Sequence, residues 1–314
     1  MPLASEPLTN RQPPTANRFF HIRLPARADH LLTSYRGEQV TSLLITGAGS
    51  GIGRELVNRA VARGDRVIAT VRQEKDLQSF GSHNNLRVVL MNVGSTQSVE
   101  AGFAAVDAWL AGTPLNIVIN CAAVCPLGAL EVQPIEVIEQ TLNTNAVGTA
   151  RVLRASLPRL RGHDGRIALV TSLWGKVSGP MLSAYCASKF AIEAIADATR
   201  RETTGHGVHI MVVEPGVVRT SMVDGQVAQS QKAAAELKND VNYGSLYAKY
   251  SAMISKNAGG GLSAADCAAA IEKAVFARKP KTRYQAGSDS KAITLLARLL
   301  PDSAIDRMFI AMLK

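Results

Sequence analysis

From residue 41 onward, short apolar runs alternate with longer segments of helical spacing. The apolar runs are each six residues long and rich in β-branched residues, which predicts buried strands at Thr41–Thr46, Arg66–Val71, Leu86–Met91, Leu115–Asn120, Arg166–Thr171 and Val208–Val213. Helical segments are predicted between them, at Ile52–Arg63 and near 95–111, 134–160 and 182–204. Buried strands that alternate with helices predict an α/β fold, a doubly wound parallel sheet covered by helices on both faces.

Three segments depart from this alternation. Residues 1–40 contain five prolines and no apolar period, which predicts an irregular N-terminal extension. Residues 41–287 contain no linker and form one predicted domain. Within it, residues 217–262 are rich in Ala, Ser, Lys and Gly, and a long segment after a late strand predicts a substrate lid. A disordered surface insertion is the alternative for that segment.

The C-terminal segment, residues 288–314, contains two apolar-patterned stretches separated by Pro301 and is predicted to be helical. In the second stretch, one helical stripe is formed by Ile305, Met308, Phe309 and Met312. Packing onto the domain or a partner subunit is one interpretation of this stripe. A lid or a membrane-surface helix is the other.

The net charge of +10 arises from 35 basic and 25 acidic residues. Residues 278–314 supply +5 and residues 1–40 supply +2, so the middle is nearly balanced. This distribution predicts no nucleic-acid-binding face. It leaves open a solvated basic surface or contact with an anionic membrane surface.

Cysteine usage and hydropathy bear on the location of the protein. The four cysteines are scattered and have no zinc spacing, so neither a disulfide framework nor a metal site is predicted. No apolar run reaches 18 residues, which predicts no membrane-spanning helix. We therefore expect a cytoplasmic protein, with peripheral membrane association as an open alternative.

A glycine-rich turn, residues 46–53, joins the first strand to the first helix. Its sequence is Thr46-Gly47-Ala48-Gly49-Ser50-Gly51-Ile52-Gly53. Glycines at 47, 51 and 53 permit a tight turn and a close approach of the backbone to a pyrophosphate, which the amides and the dipole of the following helix attract. The turn predicts a dinucleotide site, and a strand–helix connection without a ligand is the alternative.

The end of the second strand indicates which dinucleotide is bound. NAD sites usually have a carboxylate there for the ribose 2′-hydroxyl, but this strand ends in Thr70-Val71-Arg72. A guanidinium suits a 2′-phosphate. We therefore expect NADP(H) as the preferred cofactor with NAD possible, unless Arg72 is only a solvated loop charge.

A third group of residues has the chemistry of proton transfer. Tyr185 and Lys189 lie one helical turn apart, and Ser172 follows a strand thirteen residues before the tyrosine. Free tyrosine has a pKa near 10, and a nearby ammonium, a cationic nicotinamide and the exclusion of water are expected to lower it. Such a pair is structural in most proteins, but its order after a dinucleotide turn and a strand-end serine favours catalysis. Trp174 is either a wall of the substrate pocket or a packing residue.

These motifs, in this order, resemble the short-chain dehydrogenase/reductase family of the Tyr-Lys type, over roughly residues 41–287. The resemblance implies a Rossmann-type fold in which Tyr185 is the general acid/base and Lys189 lowers its pKa and binds the nicotinamide ribose. Ser172 would hold the substrate oxygen, and Asn145 would hold a water on the proton relay. The implied cofactor contacts are Thr46, Gly47, Ser50, Gly51, Ile52, Gly53, Arg72, Asn92, Val93, Asn120, Tyr185, Lys189, Pro215, Gly216, Val218 and Thr220.

The sequence departs from the family pattern in two places. Asn120-Cys121-Ala122-Ala123 lacks the usual glycine, and Asn92 replaces a common aspartate before Val93. Neither change touches the chemical step, but both affect how the adenosine half of the cofactor is held. An amide oxygen at Asn92 can still accept from the adenine amino group.

The resemblance implies an oxidoreductase that acts on an alcohol or ketone with an apolar skeleton, such as a steroid, retinoid or lipid-like substrate. It also implies a homodimer or homotetramer paired through the helices near 146–160 and 182–204. The alternative function is a non-catalytic dinucleotide sensor or interaction protein on the same fold. The complete set of Ser172, Tyr185 and Lys189 argues against that alternative.

Overall fold

The structure, a computed structural model, describes residues 40–313. The predicted N-terminal extension, apart from Val40, lies outside the described residues, as does Lys314 at the C-terminus.

The central element is a seven-stranded sheet whose neighbouring strands are all parallel. Its strands are β1 (Ser42–Thr46), β2 (Arg66–Val71), β3 (Leu86–Leu90), β4 (Ile117–Asn120), β5 (Gly165–Val170), β6 (Val208–Pro215) and β9 (Arg283–Ala286). The order is β3-β2-β1-β4-β5-β6-β9, so the direction of winding reverses between β1 and β4. Two short strands, β7 (Val218–Arg219) and β8 (Leu262–Ser263), pair with each other outside this sheet.

Ten α-helices lie in the described part of the chain. They are α1 (Gly51–Ala62), α2 (Thr96–Leu110), α3 (Ile135–Leu142), α4 (Gly148–Leu160), α5 (Ser183–Glu202), α6 (Ser221–Glu236), α7 (Gly244–Asn257), α8 (Ala264–Val275), α9 (Ser288–Leu299) and α10 (Asp302–Met312). One π-helical turn, Asn143–Val147, joins α3 to α4.

The two faces of the sheet form two separate hydrophobic cores. Side chains alternate across a strand, so Leu43 and Ile45 pack with α1 and α8, whereas Leu44 packs with α2, α4 and α5. All three side chains are essentially fully buried. Burial of the strands on both faces explains why they are continuous apolar runs in the sequence.

The predicted fold class is confirmed, and the predicted strands lie within two residues of the observed ones. Strand β9 was not predicted, because Arg-Tyr-Gln-Ala is neither apolar nor alternating. It pairs only with β6 at the edge of the sheet, where polar residues are tolerated. The segment 134–160 was predicted as one helix, and the structure divides it at the π-helical turn.

Residues 217–262 form helices α6 and α7 between the short strands β7 and β8, so the segment is not a disordered insertion. The two helices pack on each other and contribute to a third hydrophobic cluster, which includes Leu182, Tyr185, Tyr247 and Tyr250. Among the described helices, none combines the length and the hydropathy needed to cross a membrane.

Candidate active site

A cavity of about 700 Å³ opens at the carboxyl ends of the central strands, where the strand order reverses. Ligands of open parallel sheets bind at this position because the loops on the two sides of the reversal separate. The cavity is continuous from the glycine turn, past the end of β2, to the tyrosine and lysine of α5. Helices α6, α7 and α10 supply its remaining wall.

The glycine turn lies at one end of the cavity, and close packing requires its glycines. Gly47 has φ of +67°, and a Cβ atom there would lie 2.7 Å from Ala122 Cα. A Cβ atom at Gly53 would collide with the Gly47 carbonyl oxygen. Ser50, at the start of α1, makes no side-chain capping bond, and the first turn of α1 contains no acidic residue. The turn therefore presents a hydroxyl and an uncompensated helix dipole to an anion.

Arg72 follows β2 and lines the cavity, with its side chain exposed to solvent. Gln73, Lys75 and Asp76, which the sequence analysis did not select, line the same end. The Asp76 carboxylate lies over the glycine turn, with Oδ2 3.2 Å from the position of a Cβ atom at Gly49. Two cations and one carboxylate therefore surround the place where a cofactor ribose would lie.

Asn92 and Val93 line the cavity beside the end of β2. Asn92 Oδ1 accepts a hydrogen bond from the Gly94 amide at 3.0 Å, so this oxygen already has one partner within its own turn. An amide oxygen has two lone pairs, and the second is available to an adenine amino group. Val93 is buried and presents an apolar edge.

Thr46 and Asn120 were predicted as cofactor contacts, but they lie beneath the cavity and do not line it. Thr46 Oγ1 donates to Asn120 Oδ1 at 2.7 Å and accepts from the Ala122 amide at 3.2 Å. Asn120 Nδ2 donates to Thr149 Oγ1 at 2.8 Å. These bonds fix the ends of β1 and β4 against α4, which holds the strands on the two sides of the cavity in register.

Ser172, Tyr185 and Lys189 come together at the other end of the cavity and all line it. Ser172 is the second residue after β5, and the other two are one turn apart in α5. Lys189 Nζ lies 5.4 Å from the centroid of the Tyr185 ring and donates to the Val170 carbonyl at 3.0 Å. Each of the three residues is less than a tenth exposed.

Burial controls the protonation of this group. Burial raises the pKa of Tyr185, and a hydrogen bond with the Ser172 hydroxyl partly opposes this rise. Burial lowers the pKa of Lys189 to about 8. Burial therefore favours the neutral phenol of Tyr185. The expected lowering of the Tyr185 pKa by the Lys189 ammonium together with a cationic nicotinamide stays a prediction.

Asn145, predicted to hold a water, is fully buried and does not line the cavity. Its Oδ1 accepts from the Val124 amide at 2.8 Å, and its Nδ2 donates to the Val124 carbonyl at 2.8 Å and to Ser188 Oγ at 2.9 Å. It lies in the π-helical turn between α3 and α4. Asn145 thus connects the loop after β4 to the helix that carries Lys189.

An ionic cluster around the buried Glu193 lies behind Ser172, Tyr185 and Lys189, and the sequence analysis missed it. Glu193, one turn after Lys189, accepts from Thr171 Oγ1 at 2.8 Å and from Lys176 Nζ at 2.6 Å. Arg283 on β9 lies 3.0 Å from the same carboxylate. The cluster ties α5 to the ends of β5 and β9. The sequence feature that could have indicated this cluster was the spacing of four residues between Lys189 and Glu193.

The segment after β6 forms a further wall. Pro215, Gly216, Val218 and Thr220 all line the cavity, as predicted from the resemblance. Asp289, at the start of α9, accepts from the Val217 amide at 2.7 Å, and a Cβ atom at Gly216 would collide with this carboxylate. Asp289 therefore fixes the path of the segment, a role that no sequence pattern indicated.

The remaining wall is mainly apolar. Its side chains are Val124, Pro180, Leu182, Met222, Met253, Ile254, Ile293, Phe309, Met312 and Leu313. Trp174 lines the cavity, and its ring centroid lies 5.9 Å from that of Phe309. Cys121 and Cys125 are half-buried, line the cavity and also pack against two of the hydrophobic clusters.

The cavity fits a dinucleotide, since the glycine cradle, the cations after β2 and the segment after β6 border one continuous space. The family model of the short chain dehydrogenases matches residues 41–231, and the chain belongs to this family. Members are NAD(P)-dependent oxidoreductases, so the bound cofactor supplies hydride chemistry for an alcohol or ketone substrate. The recognition made from the sequence motifs is confirmed.

Known relatives agree with this assignment. The chain is 33% identical to the 17-beta-hydroxysteroid dehydrogenase type 6 of Homo sapiens over 88% of this chain and 92% of that protein. It is 31% identical to retinol dehydrogenase 16 of Rattus norvegicus, over 89% and 93% of the two chains. The crystal structure of a short chain dehydrogenase from Burkholderia cenocepacia J2315 in complex with NADP has a TM-score of 0.68 at 20% identity, covering 86% of this chain and 98% of that one. This last similarity concerns the fold.

Proposed function

We propose that this protein is an NADP(H)-preferring dehydrogenase/reductase of apolar alcohols and ketones, with Tyr185 as its general acid/base. The observation that carries the proposal is the position of Ser172, Tyr185 and Lys189 at the meeting point of a dinucleotide-sized groove and a mainly apolar wall. A proton donor there reaches a carbonyl oxygen whose skeleton packs against that wall.

The roles of these residues follow from their geometry. During reduction, negative charge develops on the carbonyl oxygen, and Ser172 and Tyr185 donate hydrogen bonds to it. Tyr185 then transfers its proton, which burial keeps on the phenol until that charge develops. Lys189 lies close enough to the Tyr185 ring to stabilise the phenolate that forms. Its ammonium also borders the groove where a nicotinamide ribose would lie. Oxidation of an alcohol uses the same groups in reverse.

The preference for NADP(H) rests on Arg72 and Lys75. Both are cations at the end of β2, and a guanidinium binds a phosphate through charge-assisted hydrogen bonds. Asp76 works in the opposite direction, because its carboxylate repels a 2′-phosphate and could accept from a 2′-hydroxyl. Two cations against one carboxylate favour the phosphate, and NAD remains a usable cofactor.

The substrate class rests on the apolar wall supplied by α6, α7 and α10. Residues 217–262 serve as the substrate lid in this proposal, and the C-terminal helices 288–314 close the same wall through Phe309 and Met312. The names of the relatives, which act on steroids and retinol, support a bulky apolar alcohol or ketone.

Assembly and location are further parts of the proposal. A homodimer or homotetramer would bury Val147 and Phe190, which are 46% and 43% exposed at the start of α4 and on α5. We infer a cytoplasmic location, and peripheral membrane contact through α9 and α10 is the alternative, since Leu299 and Ile310 are exposed near Arg298 and Arg307. Liposome flotation with and without residues 288–314 separates the two locations.

The test of the function is NADPH consumption over a panel of carbonyl compounds that range from small and polar to bulky and apolar. We expect turnover that increases with apolar surface and is faster with NADPH than with NADH. Saturable NADPH binding without turnover of any carbonyl or alcohol would favour the non-catalytic sensor instead. That alternative gives no reason for a complete proton-donor group inside the cavity, and it is not favoured.

A further inference from the structure

Helix α7 carries Tyr247 and Tyr250, and Tyr243 directly precedes it. The hydroxyl groups of these three tyrosines have different surroundings. Tyr243 donates to Glu131 Oε2 at 2.5 Å, and Tyr247 accepts from the Ala129 amide at 3.1 Å. Both bonds attach α7 to the loop before α3. The Tyr250 hydroxyl, in contrast, makes no hydrogen bond within the described part of the chain.

Tyr250 is placed to meet a ligand. Its side chain is 5% exposed, lines the cavity and belongs to the same buried cluster as Tyr185. Its neighbours in the cavity wall, Met253 and Ile254, cannot form a strong hydrogen bond with it. The fully buried side-chain atoms without a partner do not include this hydroxyl, so it opens onto the cavity, where a ligand oxygen can reach it.

Gln226, another polar residue of the cavity wall, already has partners. Gln226 Nε2 donates to the Cys125 carbonyl at 3.3 Å and to Cys125 Sγ at 2.8 Å. Ser172 and Tyr185 serve the reacting oxygen. Burial raises the pKa of Tyr250, so its hydroxyl stays protonated and can both donate and accept.

We propose that Tyr250 is a specificity-determining residue that hydrogen-bonds a second oxygen of the substrate. The preferred substrates are then apolar molecules that carry a hydroxyl or keto group remote from the reacting carbon. This inference rests on the proposed function, because it names the substrate of the same site. The inference also explains why Tyr250 of the lid lines the cavity, whereas Tyr243 and Tyr247 bind the loop before α3.

The experiment compares two ketones that share one bulky skeleton. One carries only the reacting ketone. The other carries an additional hydroxyl remote from that ketone, and a series of such compounds varies the position of the hydroxyl. The quantity measured is the ratio of kcat/KM for the hydroxyketone to kcat/KM for the plain ketone, with NADPH saturating. The proteins are the wild type, Tyr250→Phe and the matched control Tyr247→Phe, which removes a hydroxyl from the same helix outside the cavity.

We expect the wild type to prefer at least one hydroxyketone and Tyr250→Phe to lower that ratio by about tenfold, because a site built to bond an oxygen discriminates against the molecule that lacks it. Most of the change should be in KM, and the plain ketone should react as well or better. Tyr247→Phe should leave the ratio unchanged, even if it weakens the lid.

Two results would overturn the inference while leaving the proposed function intact. One is a ratio that stays within twofold of the wild type in Tyr250→Phe. The other is an equal fall in Tyr247→Phe, which would mean that lid packing sets the ratio. If the wild type binds NADPH but turns over neither ketone nor the matching alcohols, the proposed function itself fails, and the assignment of Tyr250 fails with it.

Discussion

Replacing Lys189 by methionine should stabilise the protein at neutral pH while removing most of its activity. Lys189 is buried, and its pKa is lowered from 10.5 to about 8. Holding its ammonium in the folded protein at pH 7 therefore costs about 3 kcal/mol, at 1.36 kcal/mol for each tenfold change. Methionine has a similar stem and no charge, so the substitution removes this cost. It also removes the hydrogen bond to the Val170 carbonyl, worth about 1 kcal/mol.

The net prediction is a variant about 2 kcal/mol more stable than the wild type at pH 7. The stability advantage of Lys189→Met over the wild type must decrease as the pH rises. Between about pH 8 and pH 10.5 the unfolded wild-type chain binds more protons than the folded one, so wild-type stability rises with pH in that window. The advantage of Lys189→Met should thus shrink by about 2 kcal/mol between pH 7 and pH 9.5.

Urea denaturation of the cofactor-free proteins over this pH range measures the difference directly. Lys249→Met is the matched control, because Lys249 is exposed on α7 and lies outside the cavity lining. A Lys189→Met protein that is less stable than the wild type at pH 7, or whose difference is constant with pH, would refute the view that this ammonium is held at a cost for function.

Two other substitutions test separate parts of the structure. Arg72→Ala should weaken NADPH binding about tenfold or more and NADH binding little, since only NADPH has the 2′-phosphate. Titration with both cofactors measures the two affinities, and Arg87→Ala, at an exposed arginine, is the control. Equal losses for NADPH and NADH would show that Arg72 does not bind the phosphate. Glu193→Gln should lower the free energy of unfolding by about 1 kcal/mol, because Lys176 and Arg283 lose their charged bonds to Glu193 but keep Glu214 as a partner. The exposed Glu236→Gln is its control in urea denaturation, and a loss no larger than that of the control would contradict the importance of the ionic cluster.

The sequence predicted the central sheet because its strands are buried on both faces and so appear as continuous apolar runs. It could not predict β9, whose Arg283 is held by carboxylates of α5 that are distant in sequence. The same limitation applies to Asp289, which reaches the segment after β6 only after the chain has folded.

For the site, the informative signal was the order of short motifs along the chain. The glycine turn and the Tyr185–Lys189 pair are set by short-range geometry, and the structure brings both to one cavity. The substrate wall is assembled from α6, α7 and α10, and no short motif encodes such a surface. Residues whose side chains act below the cavity, such as Thr46 and Asn120, could not be told from lining residues by the sequence, because both kinds occur in the same motif.

The account depends most on proton transfer by Tyr185, and Tyr185→Phe tests it with NADPH deuterated at the transferred position. The wild type should deliver deuterium to the carbonyl carbon of an apolar ketone. Tyr185→Phe should bind NADPH normally and lose about 10²–10⁴-fold in turnover, since only the proton-donating oxygen is missing. Tyr284→Phe, which lies outside the cavity lining, is the control. Deuterium transfer by Tyr185→Phe at close to the wild-type rate would contradict the assignment of Tyr185 as the general acid/base.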